Sequence, residues 1–139
     1  EIILKKYSPI GEMSTFAKQY AESLAQVSGC TALIADRDQI IAAAGKGKGL
    51  AGKALGREME ELLERREILM ACRGEKGFVE PAAEGAEGCR AEAVCPIICE
   101  GDVIGAVILL ENDKKTGMGE VERKLIQSAA GFLGRQMEQ

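Results

Sequence analysis

The stretch AEAVCPIICEGDVIGAVILLE, residues 91–111, constrains the fold more than any other part of the chain. Two runs of strand-forming residues flank the turn Glu100-Gly101-Asp102, the pattern of a β-hairpin. The second run is apolar at both alternating sets of positions, so its sheet must be covered on both faces. Pro96 brings no N–H to a ladder, which places the first run at a sheet edge or a bulge. A sheet buried on both sides implies one layer of other elements above it and another below.

The remaining elements follow from period and punctuation. TALIAD (31–36) and QIIAAA (39–44), turning at Arg37-Asp38, predict a second hairpin. Upstream, Met13, Phe16, Tyr20, Leu24 and Val27 recur at steps of three and four, one stripe of a helix over 9–28, with Ala17 and Ala21 beside it. Ser8 suits its N-cap, Pro9 its first position and Gly29 its stop. Residues 57–68 predict a helix with Met59, Leu62 and Leu63 inward, and 69–72 fits a short strand. The last helix carries Glu120 and Glu122 in its first turn and Val121, Leu125, Ala129, Phe132 and Met137 roughly along one face. RGEKGFVEPAAEGAEGC, residues 73–89, has no period and predicts a mobile loop. The expectation is an α+β fold, one antiparallel sheet with its N- and C-terminal helices packed on one face. At 139 residues this is one domain, and with aromatics at 4% and no Trp its core must be aliphatic.

Several chemistries are disfavoured by the residues present. A net charge of −4 argues against a phosphate-neutralising face on this chain itself. No apolar run approaches the ~18 residues of a membrane span. Five cysteines, an odd number without regular spacing, fit reduced thiols and a cytoplasmic setting. With no His there is no Ser-His or Cys-His pair and no mixed zinc site. Cys95 and Cys99 lie ~13 Å apart on a straight strand, too far for a disulfide or a shared metal. Cys30, Cys95 and Cys99 read as core residues. Cys72 and Cys89 flank the loop beside Arg73 and Arg90, and are the candidates for reactivity. GKGLAGKA, residues 47–54, has the spacing of a phosphate-binding loop. Ala54, however, supplies no hydroxyl for Mg²⁺, and two hairpins are not a parallel βαβ sheet. What remains there is an anion held by backbone amides with Lys46, Lys48 or Lys53 and no metal. No metal or cofactor is expected.

EIILKKYSP, FAKQYAESL, ALIADRD, PIICEGDVIGAVIL and GEVERKLIQSAAGFLGRQMEQ together resemble the AbrB-type transcription regulators of spore-forming bacteria, in their C-terminal GAF-like domain. The resemblance spans the chain, close at both ends and in the 96–109 hairpin, loose over 45–89. It implies that residues 1–8 are a remnant strand of an N-terminal DNA-binding domain plus linker, and that 9–139 form a GAF-like regulatory domain. It implies a ligand-sized pocket opposite the terminal helices, and pairing of those helices between subunits. The expected pocket residues are Ala42, Ala44, Leu50, Leu55, Met59, Cys72 and Val94. The expected oligomer interface comprises Met13, Phe16, Tyr20, Leu24, Val121, Leu125 and Phe132.

The function expected is non-enzymatic: sensing and oligomerisation, as a homodimer or homotetramer, with DNA bound only through the N-terminal domain. A filled pocket with oligomerisation alone is the variant of that reading. The rivals are a thiol redox enzyme resembling methionine sulfoxide reductases, working through Cys72 and Cys89, and a nucleotide-binding module at 47–53.

Overall fold

A computed structural model of the chain describes residues 14–112 and 118–138. The expected remnant strand, the helix start at Ser8-Pro9 and Met13 lie outside the described residues. Helix α1 (Ser14–Ser28) is followed by β1 (Thr31–Ala35) and β2 (Ile40–Ala44), then α2 (Arg57–Glu64), β3 (Leu69–Cys72), β4 (Ala91–Cys99), β5 (Asp102–Glu111) and α3 (Glu120–Gln136). The five strands form one sheet in the order β2-β1-β5-β4-β3, and every pairing is antiparallel.

The hairpin of residues 91–111 is β4–β5. Cys99 pairs with Asp102, so the turn is the two residues Glu100 and Gly101, both at positive φ (51° and 87°). That backbone matches the right-handed twist of the flanking strands. Pro96 pairs with Ala106 toward β5, while β3 accompanies β4 only from Ala91 to Val94, so the missing N–H falls on a stretch that β3 does not reach. A bulge follows at Ile97/Ile98. In the other hairpin, the Asp36 carboxylate accepts the Asp38 and Gln39 backbone N–H groups at 2.8 Å each, which fixes the turn.

The strands alternate between two cores. Ala32, Ile34, Ala93, Cys95, Ile97, Val107 and Leu109 face α1 and α3, meeting Ala17, Ala21, Leu24, Ile126, Ala129, Ala130 and Leu133. Leu33, Ala35, Ala43, Val94, Ala106 and Ile108 face the other way, toward α2 and the long loops. The two terminal helices therefore share one face, as expected. Their buried stripes are narrower than the sequence reading made them. Val27 is 70% exposed, and α3 buries 126-129-130-133 rather than the stripe through Val121 and Phe132. Gly29 at φ 76° ends α1, donating its N–H to Ala25 O at 2.8 Å. At the start of α3, Glu122 Oε1 accepts the Gly119 N–H at 2.7 Å.

Candidate functional site

The expected pocket residues do not gather in one place. Leu50, Leu55, Met59 and Val94 meet on the loop side of the sheet, where they are 0–6% exposed and packed with Leu33, Leu62, Leu63 and Ile108. Ala42 and Ala44 point to the opposite face, against α1. Cys72 is half-buried at the end of the edge strand β3. The correction has a simple cause: in an all-alanine stretch such as Ala42–Ala44, composition carries no signal of which residues face which side. A surface cleft of about 540 Å³ lies instead at the β2 edge of the sheet. Lys18 and Glu22 of α1, Ile41, Ala42 and Ala44 of β2, and Lys48 and Ala51 of the glycine-rich loop line it.

The glycine-rich loop is structural in its contacts. Gly47 donates its N–H to Thr31 Oγ1 at 3.2 Å, Leu50 drops into the loop-side core, and Lys53 pairs with Glu84 at 3.6 Å. It joins antiparallel strands to a helix, so it lacks the parallel βαβ setting of a phosphate loop.

The expectation for residues 73–89 is a mobile loop. They are irregular, yet tied down along their length, and form a strap across the loop-side core. Ala83 donates to Ala54 O at 3.0 Å, and Leu55 forms an isolated bridge with Ala82. Arg73 is the hub. Its backbone N–H reaches Arg90 O at 2.8 Å, its Nε reaches Cys89 O at 2.7 Å, and its terminal nitrogens reach Ala86 O at 3.2 Å and the Glu80 carboxylate at 2.5 Å. The guanidinium also lies 4.6 Å from the centre of the Phe78 ring. Under the strap sits Glu92, fully buried on β4. Its Oε2 accepts the Val79 N–H at 2.8 Å, and its Oε1 has no hydrogen-bond partner. Burial pushes its carboxyl up to about 7. The sequence reading missed this residue, although one glutamate inside an otherwise apolar strand was a visible signal.

Two of the thiols, Cys89 and Cys95, are poorly placed for catalysis. Burial, reinforced by Glu92, pushes Cys89 up to about 12, and burial pushes Cys95 to about 11. A nucleophilic thiol needs the opposite shift. Arg73 does lower Cys89, but by less than burial raises it.

On the far face, α1 and α3 bring together an aromatic trio. Phe16 and Tyr20 lie 5.9 Å and 5.6 Å from Phe132 between ring centres, and 6.3 Å from each other. Phe132 remains 43% exposed and Val121 68%, with Leu125 half-buried on the same helix. Leu24, expected at this surface, is 5% exposed and belongs to the core.

The family described as "Stage V sporulation protein T C-terminal, transcription factor" matches residues 12–138. Stage V sporulation protein T of Bacillus subtilis (strain 168) is 41% identical over 140 residues, covering 100% of this chain and 76% of that protein. Among solved structures, the GAF domain of the Acinetobacter phosphoenolpyruvate-protein phosphotransferase superposes with a TM-score of 0.73 at 13% identity. The match covers 96% of this chain and 84% of that one. The type II free methionine-R-sulfoxide reductase of Thermoplasma acidophilum gives 0.63 at 13% identity, covering 89% and 94%. At these identities the two structures establish a GAF fold and nothing about chemistry.

Proposed function

The chain belongs to the stage V sporulation protein T C-terminal family of transcription factors, and from that premise we propose that it is a non-enzymatic regulatory domain that self-associates through α1 and α3. Through that association it sets the arrangement of an attached AbrB-type DNA-binding domain.

The observation that carries this reading is the aromatic trio. Phe16, Tyr20 and Phe132 come from the two ends of the chain, form one patch on the helix face, and leave Phe132 substantially in water. Aromatics are 4% of this sequence, so the concentration of three on one surface is not a by-product of composition. Large exposed apolar side chains flanked by polar residues are the usual anchors of protein–protein contacts. The raised Cys89 thiol and the absence of His count against a redox or hydrolytic role.

Light scattering tests it. The chain is expected to run at twice its 14.8 kDa protomer mass or a higher even multiple. Phe132→Glu, which adds a charge to the patch at a residue outside both buried clusters, is expected to weaken the association at least tenfold, the loss of about 1.4 kcal/mol or more. An unchanged mass in that variant overturns the assignment of the interface.

Ligand sensing is the second reading, and the cleft beside β2 favours it. An occupant there would touch Lys18 and Glu22 on α1 directly, and so act on the helix layer from its own side of the sheet.

A further inference from the structure

Glu92 is the most anomalous side chain in the domain. It stands on β4 between Ala71 of β3 and Leu110 of β5, with its carboxyl under the strap. Its Oε2 is bonded to the strap backbone, at Val79. The cation nearest in charge terms, Arg73, is committed to Glu80 and to the Ala86 and Cys89 carbonyls, and leaves Oε1 unpartnered. The other titratable groups that reach it are Glu80 and Cys89, both on the strap. The Glu80 charge disfavours a second negative charge close by, while the Cys89 thiol stays neutral and offers Glu92 no cation. A carboxyl in such a place is tolerated when neutral and costly when ionised.

We propose that Glu92 is a proton-operated latch: while its carboxyl is neutral the 73–90 strap stays seated on the sheet, and ionisation loosens the strap. The device depends on neither a ligand nor self-association.

The direction follows from linkage. Seated beneath the strap, the carboxyl titrates near 7; with the strap lifted it meets water and returns toward the ordinary 4.5. The seated state therefore binds the proton more tightly. Its advantage is complete below about pH 4.5, falls by about tenfold per pH unit from there to about pH 7, and is level above that. The Val79 bond works the other way, because an ionised acceptor holds an N–H more strongly, but desolvation is the larger influence. Glu92→Gln keeps the shape and an acceptor for Val79 while removing the titration.

Amide exchange of the whole chain between pH 5 and pH 8, corrected for the intrinsic rate at each pH, reads the latch at Val79 and along 73–90. In the wild type, protection there is expected to fall about tenfold per unit up to about pH 7 and then level off, while α1 and α3 change far less. In Glu92→Gln the profile is expected to be flat, at a level no lower than the wild type at neutral pH. A flat wild-type profile, or a slope that survives in Glu92→Gln, overturns the proposal. Should the variant fail to fold, carbon NMR of the wild-type Glu92 carboxyl decides: a midpoint near 7 supports the latch, and one in the ordinary carboxylate range overturns it.

Discussion

Replacing Gly134 with alanine is expected to destabilise the domain by about 2–3 kcal/mol, while the same change at Gly131 stabilises it by up to about 1 kcal/mol. Both glycines lie in α3, and alanine is the better helix former at either position. They differ in what a side chain would meet. A methyl at Gly131 has nothing within 4 Å, so only the gain in helix propensity remains. A methyl at Gly134 would stand 2.3 Å from the Ile98 carbonyl oxygen and 3.3 Å from its carbon. That oxygen is backbone, at the bulge of β4, and cannot rotate away. The helix must lift instead, loosening Ile126, Ala129, Ala130 and Leu133 from the sheet. Urea denaturation of the two variants beside the wild type measures the pair, and the opposite signs are the point of the comparison. If both variants are stabilised, α3 does not pack as closely as described.

Gly105→Ala is expected to cost about 3 kcal/mol or more, enough to leave much of the protein unfolded at ordinary temperature if its stability is typical of small domains. Gly105 is in β5, the central strand of the sheet, with β1 on one side and β4 on the other. An added methyl would lie 2.1 Å from the Ala35 carbonyl oxygen and 3.2 Å from Asp36 Cα. There the β1–β2 ladder shifts register, between Ile34 and Ala35, and the chain bends into the Asp36 turn over β5. Relief requires that turn to move, at the expense of the carboxylate bonds to the Asp38 and Gln39 N–H groups. Against this, alanine recovers only about 0.5–1 kcal/mol of the entropy that glycine loses in a strand. Thermal unfolding checks it, and a transition within a few degrees of the wild type contradicts the close approach.

Much of the fold was legible in the sequence because its strongest elements announce themselves. The β4–β5 hairpin, the β1–β2 hairpin and the placement of both terminal helices on one face follow from period and turn residues. The choice of face on α3 did not. That helix has two neighbouring apolar stripes, one through Leu125 and Phe132, the other through Ile126, Ala130 and Leu133, and period alone does not rank them. The glycines do not rank them either: Gly134 faces the β4 backbone, whereas Gly131, next to Phe132, faces open space.

The candidate site was less legible. Leu50, Leu55, Met59 and Val94 do share the loop side of the sheet, but a side chain that lines a cavity and one that packs a core have the same composition. Ala42 and Ala44 turn to the α1 side and line the cleft at the β2 edge instead, a choice of side that an all-alanine stretch does not display. The strap was read as mobile because it lacks period, whereas Arg73 organises it through backbone carbonyls that no sequence pattern displays. Phe16, Tyr20 and Phe132 lie against one another across α1 and α3, while Val121 stands further into solvent and Leu24 is withdrawn into the core.

Self-association through the terminal helices is the claim on which the regulatory account depends, and amide exchange of the wild-type chain across a dilution series tests it most directly. The account predicts that protection gained on concentrating the protein is confined to α1 and α3 and is largest around Phe16, Tyr20 and Phe132. Protection gained instead along the β2 or β3 edge or the 73–90 strap, or none at any concentration, would contradict it.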